Sequence, residues 1–210
     1  MTEPLCDEVD AEHICEQSLQ QALQIDPQNI DALQAMGNLR MLRGKDKEAA
    51  TLLLSVVKKI QEIQNRIEES TQIQNMDRVA AEEHLPAIDF RMQTCRLLVE
   101  LKKFKPAVAL LENIVSEDDE IIEAWYLLAF SFFNRKKWSN AEQCCLNVKS
   151  LAEKKKIIDP DLEAGTKEIW EVVRKELDTD SAMGGEDDGD SGFETVSEDE
   201  DLSSDEEMAD

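Results

Sequence analysis

The chain has 210 residues, with 47 Asp and Glu against 23 Lys and Arg and a formal net charge of -24. A hydrophobic content of 41% suffices for one core and excludes a chain that is disordered throughout. The negative charge argues against nucleic acid as a direct partner, because phosphates are repelled, and in favour of basic proteins.

That charge is uneven. Residues 178–210 hold 15 acids and no Lys or Arg, which leaves 32 acids against 23 bases, a balance of -9, on residues 1–177. Only Gly37, Gly44 and Gly165 of the seven glycines lie in this body, which disfavours a turn-rich all-β fold. Met1–Val9 carries Glu3, Asp7 and Glu8 and no apolar stretch, so 1–9 reads as a flexible arm and not as a signal peptide. No run of 18 apolar residues occurs, and no membrane span is expected. Cys6, Cys15, Cys95, Cys144 and Cys145 do not read as a disulfide framework and suit a reducing cytosol or nucleus. Cys15, Cys95 and Cys145 read as small buried residues at helix contacts.

Along the chain, CEQSLQQALQIDP reads as a helix that ends at Pro27. The next helix carries Leu33, Met36 and Gly37 and stops at Gly44, and Ala49 opens its partner. Between 60 and 85, Ile60, Ile63 and Ile67, then Ile73, Met76 and Val79, keep helical spacing. KKFKPAVALLENI places Phe104 in a turn and Pro106 in the first turn of a helix. In EAWYLLAFSFFNRKKWSNAEQCC, the order Trp125, Leu128, Ala129, Phe132, Ala141, Cys145 follows the tetratricopeptide pattern of period 34. Small residues belong where two antiparallel helices approach, and large ones fill the gaps beside them. The equivalent small residues are Cys15, Ala49, Ala107 and Ala141, at spacings of 34, 58 and 34. The middle junction therefore carries 24 extra residues. Shared between two helices, they lengthen each by about 12 residues, roughly 18 Å, with a turn near Ser70–Asp77 that caps a protruding hairpin; the alternative is an ordinary extra helix packed on the stack.

Some positions depart from the pattern. Arg91 replaces the usual Trp, with Phe90 a candidate for its space; Arg40 replaces an aromatic; Asp119 stands where Pro closes a repeat. Lys149 to Ile158 reads as the end of a long helix. Pro160 starts a capping helix whose buried side is Leu162, Ile169, Trp170, Val173 and Leu177. The expected fold is an all-α, right-handed tetratricopeptide-repeat superhelix, an α-solenoid, over 10–177. It carries a long helical insertion around 60–85 and a disordered acidic tail, 178–210.

No catalytic constellation is present. The histidines are His13 and His84, and HExxH, CxxC and a glycine-rich phosphate loop are missing. Adjacent Cys144 and Cys145 suit no shared metal, and GEDDGDSG at 185–192 lacks the ligand spacing of a calcium loop. No enzyme activity, cofactor or metal is expected.

Binding is the remaining class. In stacked helical pairs the first helix of each lines a concave face. The inward positions are Asp31, Gln34, Asn38 and Leu42, then Asp89, Met92, Arg96 and Glu100, then Glu123, Tyr126, Phe130 and Asn134. Trp125, Phe132 and Trp138 read as core; Tyr126, Phe130 and Phe133 are candidates for the groove floor. Carboxylates beside rings suit an extended basic segment. Asp31, Asp89 and Glu123 in the first inward position would repel the terminal carboxylate that chaperone-binding tetratricopeptide proteins hold. In the tail, Ser197, Ser203 and Ser204 precede acids by three residues, a spacing that suits an acidophilic kinase. The tail itself reads as an electrostatic lure for a basic client.

The acidic N-terminus, DPQNIDALQAMGNLR, the helical insertion, LLVELKKFKPAVALLENIVSEDDEIIEAWYLLAFSFF and the acidic tail together resemble the eukaryotic family of dedicated assembly chaperones of large-subunit ribosomal protein four. The resemblance implies a monomeric escort in cytoplasm and nucleus. It would hold the basic internal loop of the newly made ribosomal protein, with a nuclear import factor as a further partner, and release it onto the pre-ribosome. Two other readings compete. One is a histone carrier with acidic tetratricopeptide repeats, weakened by Lys58, Lys59, Arg66 and Arg78 in and beside the insertion. The other is a general scaffold between proteins.

Overall fold

The computed structural model describes residues 8–73, 85–156 and 159–183. Among them are eight helices and no strand. These are α1 (Glu8–Ile25), α2 (Ile30–Leu42), α3 (Asp46–Ile73), α4 (Ile88–Glu100), α5 (Phe104–Glu117), α6 (Ile122–Asn134), α7 (Trp138–Lys155) and α8 (Pro160–Met183). No helix among the described residues is long and apolar enough to cross a membrane.

Helices α2 and α3, α4 and α5, and α6 and α7 form three antiparallel pairs, and each pair packs on the next. This is the all-α stack of helical pairs expected from the 34-residue spacing. The small residues that set the register are fully buried: Ala49, Ala107 and Ala141. At Gly37 a Cβ would stand 3.0 Å from Leu53 Cγ, so α2 and α3 approach too closely there for a larger residue. Cys15, the fourth expected small contact, is exposed. Helix α1 packs chiefly against α2, and its Cys15 side is left exposed. It is fastened by charge instead. Glu16 accepts from Arg43 Nη1 (2.5 Å) and Arg40 Nη1 (2.7 Å). Those two hydrogen bonds hold its carboxyl at about 2. Arg40, a departure from the repeat pattern, thus has its own task.

Arg91 does not cede its place to Phe90. It is buried, donates from Nε to the Pro86 carbonyl (2.8 Å) and pairs through Nη2 with Glu117 (2.5 Å). One repeat later, Trp125 donates from Nε1 to the Asp119 carbonyl at 2.8 Å. Arg91 therefore keeps the backward-reaching N–H donor of the tryptophan it replaces.

The turn inside each pair is the same motif three times. In α2 it is Gly44 (φ 67), with Gly44 N–H on the Met41 carbonyl and Lys45 N–H on the Arg40 carbonyl, both 2.8 Å. Lys102 and Lys136, both at φ 58, hold the equivalent positions after α4 and α6. Lys103 N–H reaches the Leu98 carbonyl (2.8 Å) and Lys137 N–H the Phe132 carbonyl (3.0 Å), as Schellman closure requires. Lys156 closes α7 at φ 53. A side chain in the left-handed region costs roughly 1–2 kcal/mol, which glycine avoids, less about 0.4–1 kcal/mol of added unfolded-state entropy. Lys156→Gly is expected to stabilise the chain by up to about 1 kcal/mol, read as a higher denaturation midpoint in urea.

The insertion is only partly as expected. Helix α3 has 28 residues against 13 in α2, so the first arm is long. It continues through Ser70 to Ile73, and 74–84, with the rest of the expected turn, lie outside the described residues. The second arm is not an elongated α4, which has 13 residues and starts at Ile88, just beyond Pro86. Proline lacks the N–H needed inside a helix and disfavours helical backbone before it.

At the other end α8 begins at Pro160 as expected and buries Ile169 and Val173, with Leu162, Trp170 and Leu177 half-buried. It runs to Met183, beyond the expected boundary at 177, and no glycine or proline lies between 177 and 183. Helix α1 likewise starts at Glu8, inside the expected arm 1–9. The rest of the expected tail, 184–210, lies outside the described residues.

Candidate functional site: the first-helix face

The first helices α2, α4, α6 and α8 follow one another along one face of the stack, and named contacts join them. From α2, Gln34 Nε2 donates to the Phe90 carbonyl (3.0 Å) and to Thr94 Oγ1 (2.6 Å) of α4. From α4, Arg96 grips Glu123 of α6 with Nε on Oε1 (2.5 Å) and Nη2 on Oε2 (2.6 Å). From α6, Tyr126 lies against Gly165 of α8, where an added Cβ would stand 2.5 Å from the hydroxyl.

These contacts sort the inward residues. Asp31, Asn38, Asp89, Glu100 and Asn134 are exposed, as expected. Asp31 and Glu100 have no close cation among the described residues, and Asp89 lies within Coulombic reach of Arg96. Leu42 is exposed by 75%, an isolated apolar residue at the end of α2. Met92 does not face the groove. It is 3% exposed and belongs to the core, since α4 is turned toward its own partner at that position. Gln34 is spent as a bridge between two helices. Glu123 is no free acid, because the bidentate Arg96 pair neutralises it; that pair raises the Arg96 pKa further. The aromatic floor is also mostly occupied. Phe130 stacks edge-on with Phe104 (centroids 6.1 Å apart), and Phe133 does so with Trp138 (5.9 Å).

Tyr126 is the sharpest correction. An open groove would leave it wet, yet α8 lies over it through a side-chain-free position. Desolvation, helped by Glu168 and Cys145, raises its pKa above the ordinary 10. It is the chain's only tyrosine. Alkaline titration at the tyrosinate absorbance band should therefore show one midpoint, higher than that of a free tyrosine. A midpoint at the free value would return Tyr126 to the open face.

Burial pushes the Cys95 and Cys144 thiols up to about 12 and Cys145 up to about 11. They are protonated at neutral pH and poor nucleophiles. Among the described residues no group of His, Cys, Asp and Glu could hold a metal. The first-helix face has acids at the open ends of α2 and α4, an internally neutral centre, and a lid of α8 over the aromatic end. On the opposite side, a hollow of about 390 Å³ opens between α5, α6 and α7, lined by Val115, Trp125, Leu128, Phe132 and Cys144. The sequence reading places Trp125 and Phe132 in the core and gives no sign of this hollow.

No family model matches the chain. It is 34% identical over 131 residues to the "Probable assembly chaperone of rpl4" of Schizosaccharomyces pombe, a match covering 61% of this chain and 34% of that protein. It is 28% identical over 121 residues to the protein of the same name in Emericella nidulans, covering 57% of this chain and 27% of that one. The match thus spans about a third of the length of these curated relatives. Among solved structures, MamA shows 12% identity at a TM-score of 0.43, covering 85% of this chain and 99% of MamA. The pilus biogenesis factor PilW shows 15% at 0.34, covering 82% and 87%. Likenesses this distant add nothing to the helical pairing described above.

Proposed function

We propose that this chain is an assembly chaperone of large-subunit ribosomal protein four, acting by binding and not by catalysis. The observation that carries the reading is the 34% identity with the fission-yeast protein of that name. The geometry supports it. A stack of helical pairs offers a long face, and Asp31, Asp89 and Glu100 stand exposed along two neighbouring first helices. An unassembled ribosomal protein is basic, and extended Lys- and Arg-rich segments need carboxylates in place of rRNA phosphate. The client is held through its basic internal loop, kept soluble in the cytoplasm, carried with it into the nucleus and given up to the pre-ribosome.

Affinity purification of the tagged full chain from cells that make the ribosomal protein tests this. Ribosomal protein four should co-purify in stoichiometric amount, and the complex should dissociate steeply as salt rises, because exposed charge pairs are screened over about 8 Å at physiological ionic strength. Recovery of histones in its place, or a complex indifferent to salt, would overturn the reading.

A further inference from the structure

The turns inside the helical pairs carry bases. Lys102 and Lys103 join α4 to α5, and Arg135 and Lys136 join α6 to α7. The two turns are neighbours, because Phe130 in the last turn of α6 stacks on Phe104 at the start of α5. Lys102 and Lys136 are exposed, and Lys103 is half-buried. None of the three lysines forms an ion pair among the described residues. The opposite edge differs: Lys154 and Lys155 both bond Glu120, at 2.9 and 3.2 Å. Among the described residues, a chain of net charge -24 thus keeps an unbalanced lysine cluster at this edge.

The end of α8 lies at that edge. Arg174 Nη1 is 2.9 Å from Glu142 Oε1, and Glu142 stands one turn into α7, directly after the Lys136 turn. From Arg174 the helix continues to Met183, roughly 14 Å further at 1.5 Å per residue. Residues 184–210 follow, with 13 acids and no base. At the r.m.s. length of a random coil, 27 residues span about 30 Å. The densest negative charge of the molecule is thus tethered beside its only uncompensated lysine cluster among the described residues. Tethering at this length acts as an effective concentration of about millimolar.

We propose that in the free protein residues 184–210 dock on the Lys102, Lys103 and Lys136 edge. The docked segment covers those lysines against outside acidic chains. A client with denser positive charge takes the segment over. The contact goes beyond the chaperone reading and needs no client, so either can fail alone.

The test is zero-length carbodiimide cross-linking of the full chain, without client, in an equal mixture of light and nitrogen-15 chains. Links should join Lys102, Lys103 or Lys136 to acids of 184–210 within one chain. They should fall at least about tenfold between about 0.01 M and 1 M salt, where the screening length drops from about 30 to 3 Å. At low salt the Stokes radius of a Lys102→Gln, Lys103→Gln, Lys136→Gln variant should exceed that of the parent, with helix content unchanged by circular dichroism. Lys154→Gln with Lys155→Gln should leave the radius alone. The proposal is overturned by links spread evenly to Lys154 and Lys155, by links mainly between light and heavy chains, or by equal radii of parent and triple variant. Mixed-isotope links would instead make a second copy the occupant.

Discussion

Ala141→Glu is expected to cost the fold on the order of 3–5 kcal/mol, the scale of an uncompensated buried charge. Ala141 has no exposed surface and sits in the first turn of α7, facing α6, where Ala124 and Ala129 are equally buried. The two helices meet there through small residues, so a glutamate has neither room nor a cation. Urea denaturation followed by circular dichroism gives the number, with Ala164→Glu as the control. Ala164 is exposed on α8, so its substitution should stay within about 0.5 kcal/mol of the parent. An Ala141→Glu protein that melts with the parent would mean that the register of the third pair is wrong.

What the sequence disclosed follows from what each residue type can and cannot signal. Periodicity and small residues act through packing, which is local to a repeat, so Ala49, Ala107 and Ala141, the Gly44 turn and the Pro160 start were all legible. Cys15 misled because a small residue marks a close contact only where a second helix exists to make it. Met92 and Gln34 misled for a related reason. The inward register comes from the average repeat, whereas in α4 Met92 is buried in the core and Thr94 is within reach of Gln34. The boundary at 177 was drawn from charge, whereas α8 runs on to Met183; acids alone do not stop a helix. Pairing across the face was the least visible layer. Nothing in the spacing of Arg96 and Glu123, 27 residues apart, announces a bidentate ion pair. A rule could have found it: an arginine among inward acids on neighbouring first helices will take one of them.

That pair sets the last expectation, in which the sign of the effect decides. If a basic segment of the client lies on the first-helix face, the acids it can use are Asp31, Asp89 and Glu100, while Glu123 is held by Arg96. Asp31→Lys with Asp89→Lys and Glu100→Lys replaces three attractions by three repulsions. Rim pairs contribute about 0.2–1 kcal/mol each, so the triple variant should lose at least about tenfold in affinity for a Lys- and Arg-rich client peptide. Arg96→Gln should do the reverse. It removes a positive charge and releases the Glu123 carboxylate, and affinity should rise by about two- to fivefold at low salt and converge on the parent at high salt. Deleting 184–210 should slow association and leave most of the affinity, because tethered charge steers more than it holds. Isothermal titration and stopped-flow of the same peptide against the three variants separate these roles. Weaker binding by Arg96→Gln would show that the Arg96 to Glu123 bridge shapes the surface and is not competing for it. Loss of binding on tail deletion alone, with the triple variant unaffected, would move the client from the first-helix face to the tail.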